Sequence, residues 1–217
     1  MLRSMLISPW ILLFVAGAAL AEPGVPADET LKVEMPTSDV VESARAAVAK
    51  LGTEVVAGRY GIALERMYPK WKERLAQSQG GMDKVNEGLA KAAVQMQQNG
   101  VTLLSSKPQG AVQAFEVSAG KKVENIGGKP VESLIYTKWL LLVPTVTQFK
   151  FIQQGKTFTV DKNGFQVAIS DKGRNDWTFI DGSTVTVNDL RSLFPNFPAD
   201  TKLPSLEAKT LDTDAKH

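Results

Sequence analysis

Between residues 41 and 55 the apolar side chains fall at Val41, Ala44, Val48, Leu51 and Val55. Steps of three and four residues place all five on one helical face. Ser38 or Asp39 can cap this helix, with Glu42 three residues beyond Asp39 in a capping-box pattern, and Gly58 is the expected stop. A second helix begins near Arg59 and carries Tyr60, Leu64, Met67 or Tyr68, Trp71 and Leu75 along one side. Pro69 falls inside it, which predicts a kink or a division into two short helices. After Gly80-Gly81 a third helix turns Val85, Leu89, Ala92 and Met96 inward until Asn99-Gly100 ends it.

Beyond Gly100 the period changes. Val112, Ala114, Phe115 and Val117 predict a first strand, while Val123 to Pro130, with Gly127-Gly128 in its middle, reads as a loop. Leu134 to Val143, LIYTKWLLLV, is apolar on both faces except at Thr137 and Lys138, the mark of a central strand covered on both sides. Pro144 bends or ends it, and Thr145 to Ile152 continues with Thr147, Phe149 and Phe151 on one side. Thr157 to Val160 leads into Asp161-Lys162-Asn163-Gly164, which has hairpin-turn chemistry. Phe165, Val167 and Ile169 then alternate with Gln166, Ala168 and Ser170 as a half-buried strand does.

Asp171 to Asn175 is the next predicted turn, followed by a last strand through Trp177, Thr178, Phe179 and Ile180 that closes at Asp181-Gly182. Thr186, with Asp189 three residues later, opens a short helix ending at Phe194-Pro195. Helices first and strands afterwards, without βαβ alternation, predict an α+β domain with an antiparallel sheet.

The two ends read differently. MLRSMLISPWILLFVAGAALA has Arg3, an apolar stretch from Trp10 to Leu20 and a small-x-small site at Ala19-Leu20-Ala21. This pattern predicts a signal peptide at 1–21, cleaved after Ala21, hence export to a periplasm or medium with no stable membrane anchor afterwards. Residues 22–36 contain three prolines and read as a linker, 37–204 as the single domain, and 205–217 as a polar, disordered tail.

Composition removes whole classes of chemistry. With no cysteine there is no disulfide, thiolate metal site, iron–sulfur cluster or cysteine nucleophile. Loss of Arg3 with the leader leaves 24 basic against 23 acidic residues, a net +1, which supplies no field for nucleic acid. The single histidine, His217, is the last residue and poorly placed to be a preorganised base or ligand. No cofactor and no metal is expected.

The stretch SDKGRNDWTFIDG, Ser170 to Gly182, looks most like a site. Counted from Asp171, a calcium loop would need glycine sixth and an acid twelfth, where Asp176 and Gly182 stand. An Asp-box hairpin fails on spacing, and only one copy exists where a propeller needs one for most blades. Asp176 and Asp181, five apart on one strand, point to opposite faces. The stretch therefore reads as a hairpin with a solvated turn, its Trp177 and Phe179 packed on the helices.

Tyr60 to Trp71, where a helix carries an aromatic–proline turn, and Trp177-x-Phe179-Ile180-Asp181 in a closing strand resemble the nuclear transport factor 2-like (cystatin-like α+β) superfamily over about residues 38 to 195. The resemblance is to exported bacterial members of unknown function. It implies three N-terminal helices packed against a curved antiparallel meander, cone-shaped, with a short C-terminal helix and an open cavity. Tyr68, Trp71, Tyr136 and Trp139 are then the candidate lining of that cavity.

The expected function is a non-enzymatic binding or interaction domain. It would hold a small apolar molecule in the cone, or pair with a protein or with a second copy through its sheet. The alternative is a small isomerase- or hydrolase-like enzyme pairing Tyr136 with Asp181 or Glu116.

Overall fold

The computed structural model describes residues 34–211. The expected signal peptide, most of the expected linker and residues 212–217 lie outside them. Four helices precede the sheet: α1 (Ser38–Val56), α2 (Gly61–Glu65), α3 (Pro69–Gln79) and α4 (Met82–Gln98). The second predicted helix is thus two, divided where Pro69 takes the first helical position of α3, the place where its missing N–H costs nothing. Thr37 precedes α1 without a side-chain cap, so the expected box at Ser38 or Asp39 does not form. The face of α1 is as predicted, with Ala44, Val48 and Leu51 buried. In α4 only Val85 is buried and Ala92 is exposed, because this helix packs on α3 rather than on the sheet.

The sheet is open, antiparallel and six-stranded: β1 (Thr102–Pro108), β2 (Gln113–Ile126), β3 (Lys129–Gln153), β4 (Lys156–Asp171), β5 (Thr178–Asp181) and β6 (Ala208–Leu211). β3 is its spine. One edge of β3 pairs with β2 up to Leu142 and then with β1 from Thr145, and the other pairs with β4 from Lys138 to Gln153. Pro144 does not end the strand. It stands where the neighbour changes from β2 to β1, and its carbonyl accepts from the Gln109 N–H at 2.9 Å.

Three expected loops are strand instead. Val123 to Pro130 contains only a two-residue turn, Gly127-Gly128, with φ of 61° and 81°, and Pro130 pairs with Asn125. Asp161 to Gly164 lies inside β4, and the hairpin turn comes earlier at Gln154-Gly155, with φ of 52° and 76°. The Asn163 N–H donates to the Glu207 carbonyl at 2.7 Å, a partner distant in the chain that local turn chemistry does not reveal. The tail expected to be disordered from 205 contributes β6. Its backbone pairs with the edge of β4 over Thr159–Lys162, and local sequence does not reveal that pairing.

Both faces of the sheet are covered where LIYTKWLLLV predicts it. On one face Trp139, Leu141, Val143, Ala168, Trp177 and Phe179 pack against α1. On the other Leu140, Leu142, Val167, Ile169 and Ile180 pack against Tyr68 and the C-terminal segment through Leu190, Phe194 and Phe197. That segment begins with α5 (Val187–Leu193), whose Thr186–Asp189 capping box forms as predicted.

α1 approaches β1 so closely that a Cβ on Gly52 would lie 2.4 Å from the Ser106 carbonyl oxygen. Gly52→Ala therefore lowers stability by about 2 kcal/mol despite better helix propensity. Gly88→Ala in α4, where the nearest atom is 4.0 Å away, raises it by up to about 1 kcal/mol. Urea unfolding of both variants checks the contrast; a stabilising Gly52→Ala would contradict the packing.

Candidate functional site

The four aromatic candidates do not meet. Tyr68 sits on the C-terminal-segment face, its N–H bonded to the Phe179 carbonyl at 2.9 Å and its ring 5.4 Å from Phe194. Burial, and then the negative charge of Asp171, push its hydroxyl above the ordinary tyrosine range. Trp71 flanks the same cluster, with the Arg74 guanidinium 5.7 Å from its ring centroid. Trp139 lies on the opposite face, inside the α1 core. Tyr136 is half-buried, paired with Ala119 where the sheet leaves the core.

Two open concavities occur elsewhere. One, of ≈ 650 Å³, lies between the C-terminal end of α4 and the β3–β4 turn; the other, of ≈ 420 Å³, lies between the β1–β2 loop and Pro204-Ser205. None of the four aromatic candidates lines either one.

The tyrosine–carboxylate pairs are not assembled. Glu116 stands opposite Trp139 and is taken up by Lys172, while Tyr136 stands opposite Ala119 beyond the break at Ser118. Asp181 is exposed and accepts from the Ser183 N–H at 2.8 Å. Among the described residues no group of three or more His, Asp or Glu is placed to hold a metal ion.

The 170–182 stretch is a hairpin, but its charges do more than face water. Asp171 pairs with Lys138, whose hydrogen bond holds the carboxyl below the usual aspartate range. Arg66 reaches Asp176 at 2.8 Å and the Trp177 carbonyl at 2.7 Å. Trp177 is buried, with its indole N–H donated to Ser43 Oγ of α1 at 2.9 Å. The Lys172 ammonium lies 4.6 Å from the Trp139 ring centroid, pairs with Glu116 and meets Glu34 at 3.0 Å. Only 6 % of the Glu116 side chain is exposed, so this lysine is its principal counter-charge. Burial works against the Lys172 charge, but the hydrogen bonds it donates to Glu116 and Glu34 outweigh it and lift the lysine above its ordinary range. The turn is a clamp that ties β2, β4 and the chain at Glu34 together.

What the sequence pattern missed is the arm. β4 stops at Asp171 opposite Lys138, yet β2 and β3 stay paired for eight further positions, from Ala119–Tyr136 to Ile126–Lys129. Beyond the foot of this ribbon every residue from Lys121 to Ile135 is exposed. Val123, Ile126, Val131, Leu134 and Ile135 are 63, 62, 43, 45 and 43 % exposed, and they are shared between the two faces. Lys121–Glu132 at 3.0 Å and Lys122–Glu124 at 2.5 Å lie beside them. At the foot, where Ser118 has φ of 59°, Thr137 Oγ1 donates to the Ser118 carbonyl, and the Lys172 N–H donates to the Thr137 carbonyl, both at 2.9 Å. The 170s turn thus also anchors the arm. A two-stranded ribbon is marginal in water by itself, and apolar side chains concentrated on one mark a contact element.

No family model, no curated protein and no solved structure matches the chain.

Lys172→Met leaves Glu116 buried without its counter-charge, and lowers stability by about 2 kcal/mol at neutral pH. Lys172 binds its proton more tightly folded than unfolded, so its contribution is complete below the unfolded lysine pKa and is lost as pH rises through the raised folded value. Urea unfolding of wild type and variant should therefore show a gap that is full at neutral pH and narrows as pH rises past the ordinary lysine range. A variant as stable as wild type at neutral pH would refute the clamp.

Proposed function

We propose that this chain is an exported, non-enzymatic interaction domain whose contact element is the β2–β3 arm and whose partner is a protein. The carrying observation is the ribbon itself, with five exposed apolar side chains and, among the described residues, no other element against it. Both faces of the sheet behind it are occupied by core, and five of the ten exposed large hydrophobic residues among those described lie together on the arm. The leader-like 1–21 segment supports export. The resemblance to the nuclear transport factor 2-like superfamily, with its cone, stands beside this as a proposal about ancestry. A small apolar ligand is the less supported form of the reading, since the aromatic candidates for its pocket lie on opposite faces. The enzymatic form lacks its assembled pair, since Glu116 is taken up by Lys172 and Asp181 by the Ser183 N–H.

Photo-crosslinking side chains at Val123 and Leu134 test this, with Gln77 on α3 as the control position in the same exporting cells. The expected result is protein adducts from the two arm positions and none from Gln77. Absence of protein adducts from the arm, together with a thermal shift caused by apolar small molecules, would overturn the proposal.

A further inference from the structure

We infer that the partner of the arm is a second copy of this chain, joined β2 edge to β2 edge about a two-fold axis through Val123; the inference rests on the arm being the contact element. Its first support is the parity of the ribbon. A two-residue turn closes on a hydrogen-bonded pair, here Ile126 and Lys129. Every second pair then repeats the exchange, so Glu124–Val131 and Lys122–Ser133 also bond to each other. Lys122's carbonyl, which accepts from Ser133 Oγ at 3.4 Å, faces β3 accordingly. The intervening residues, Lys121, Val123 and Asn125, direct their N–H and C=O groups out of the free edge of β2, a template for another strand.

The two edges of the ribbon are not equivalent. On β3 the outward-directed set includes Pro130, partner of Asn125, which has no N–H to give. The β2 edge from Lys121 to Asn125 has no proline. A two-fold axis perpendicular to the ribbon keeps each face on its own side, so it pairs residues of like parity. Centred on Val123, it sets Val123 against the partner's Val123, and Lys121 against the partner's Asn125. Those contacts form about six backbone hydrogen bonds.

Charge selects this register. Lys122 falls opposite the partner's Glu124, and Glu124 opposite the partner's Lys122. Both lie at positions where the Cα atoms of an antiparallel pair approach to about 4.5 Å. The intramolecular Lys122–Glu124 pair, at 2.5 Å, already holds these two charges on one face. Four charges of alternating sign then run across the join. On the opposite face the two Val123 side chains meet, covering one of the most exposed apolar groups of the arm.

Reversing one charge at a time tests the arrangement. Light scattering of the purified chain should give a molar mass that rises with concentration from one chain toward two. Lys122→Glu alone places like charges across the join, as does Glu124→Lys alone, and each variant should stay monomeric with an unchanged circular dichroism spectrum. Mixed in equal amounts, the two monomeric variants should recover the dimer, because every cross-strand pair is then of opposite sign. No effect confined to one arm produces that recovery. A wild type that stays monomeric at every concentration, single variants that still dimerise, or a mixture that stays monomeric would each overturn the inference. Protein adducts from Val123 with a different chain, alongside a monomeric wild type, would overturn it while leaving the arm as the contact element.

Discussion

The described residues are arranged around one strand whose backbone must find partners for 25 residues, Lys129 to Gln153. Unpaired peptide groups away from water are costly, so a strand this long fixes where other segments are placed. Its middle, Trp139 to Val143, is buried on both faces and recruits α1 to one side and the C-terminal segment to the other. Its C-terminal half takes β1 and β4 as neighbours. Its N-terminal quarter has, among the described residues, β2 alone, and so becomes the arm. Closed core and exposed ribbon are consequences of the same strand outrunning the elements that cover it.

The clamp at Lys172 joins these two regions. Its ammonium neutralises Glu116 beside Trp139 in the core, while its backbone N–H holds the Thr137 carbonyl at the foot of the ribbon. Asp171 and Lys138 sit across the same junction. A turn that looked like a site is therefore a structural joint, in which Asp171 and Asp176 neutralise Lys138 and Arg66 and Asp181 accepts from the Ser183 N–H. The Tyr68 hydroxyl, raised above the ordinary tyrosine range, owes its shift first to burial, as a core tyrosine does.

Local patterns in the sequence carried much of the fold. The α1 stripe, the break at Pro69, the Thr186–Asp189 cap and the two-sided apolar run at 139–143 each depend on residues within a few positions of one another, and each is present. What failed were features decided at long range. Leu103 and its neighbours form β1 because β3 offers an edge at Phe149, and Ala208 to Leu211 form β6 because β4 offers one at Thr159 to Lys162. Asp161-Lys162-Asn163-Gly164 has the chemistry of a turn but lies between two paired strands, so tertiary pairing overrides it. The arm was hidden by the reverse error: Gly127-Gly128 and Pro130 suggest a loop, although only two residues turn. Aromatic residues suggested a cavity, yet Tyr68 and Trp139 are core on opposite faces, and the Glu116–Lys172 pair is 56 residues apart in the chain.

The central claim is that a sealed two-sided core carries a ribbon left without cover. Amide hydrogen exchange on dilute protein measures that division directly. The account predicts the slowest exchange at residues 139–143 and 167–169, with the amides of 121–135 exchanging orders of magnitude faster, through local opening alone. Arm amides as protected as the core in dilute solution, or rapid exchange at 139–143, would contradict it.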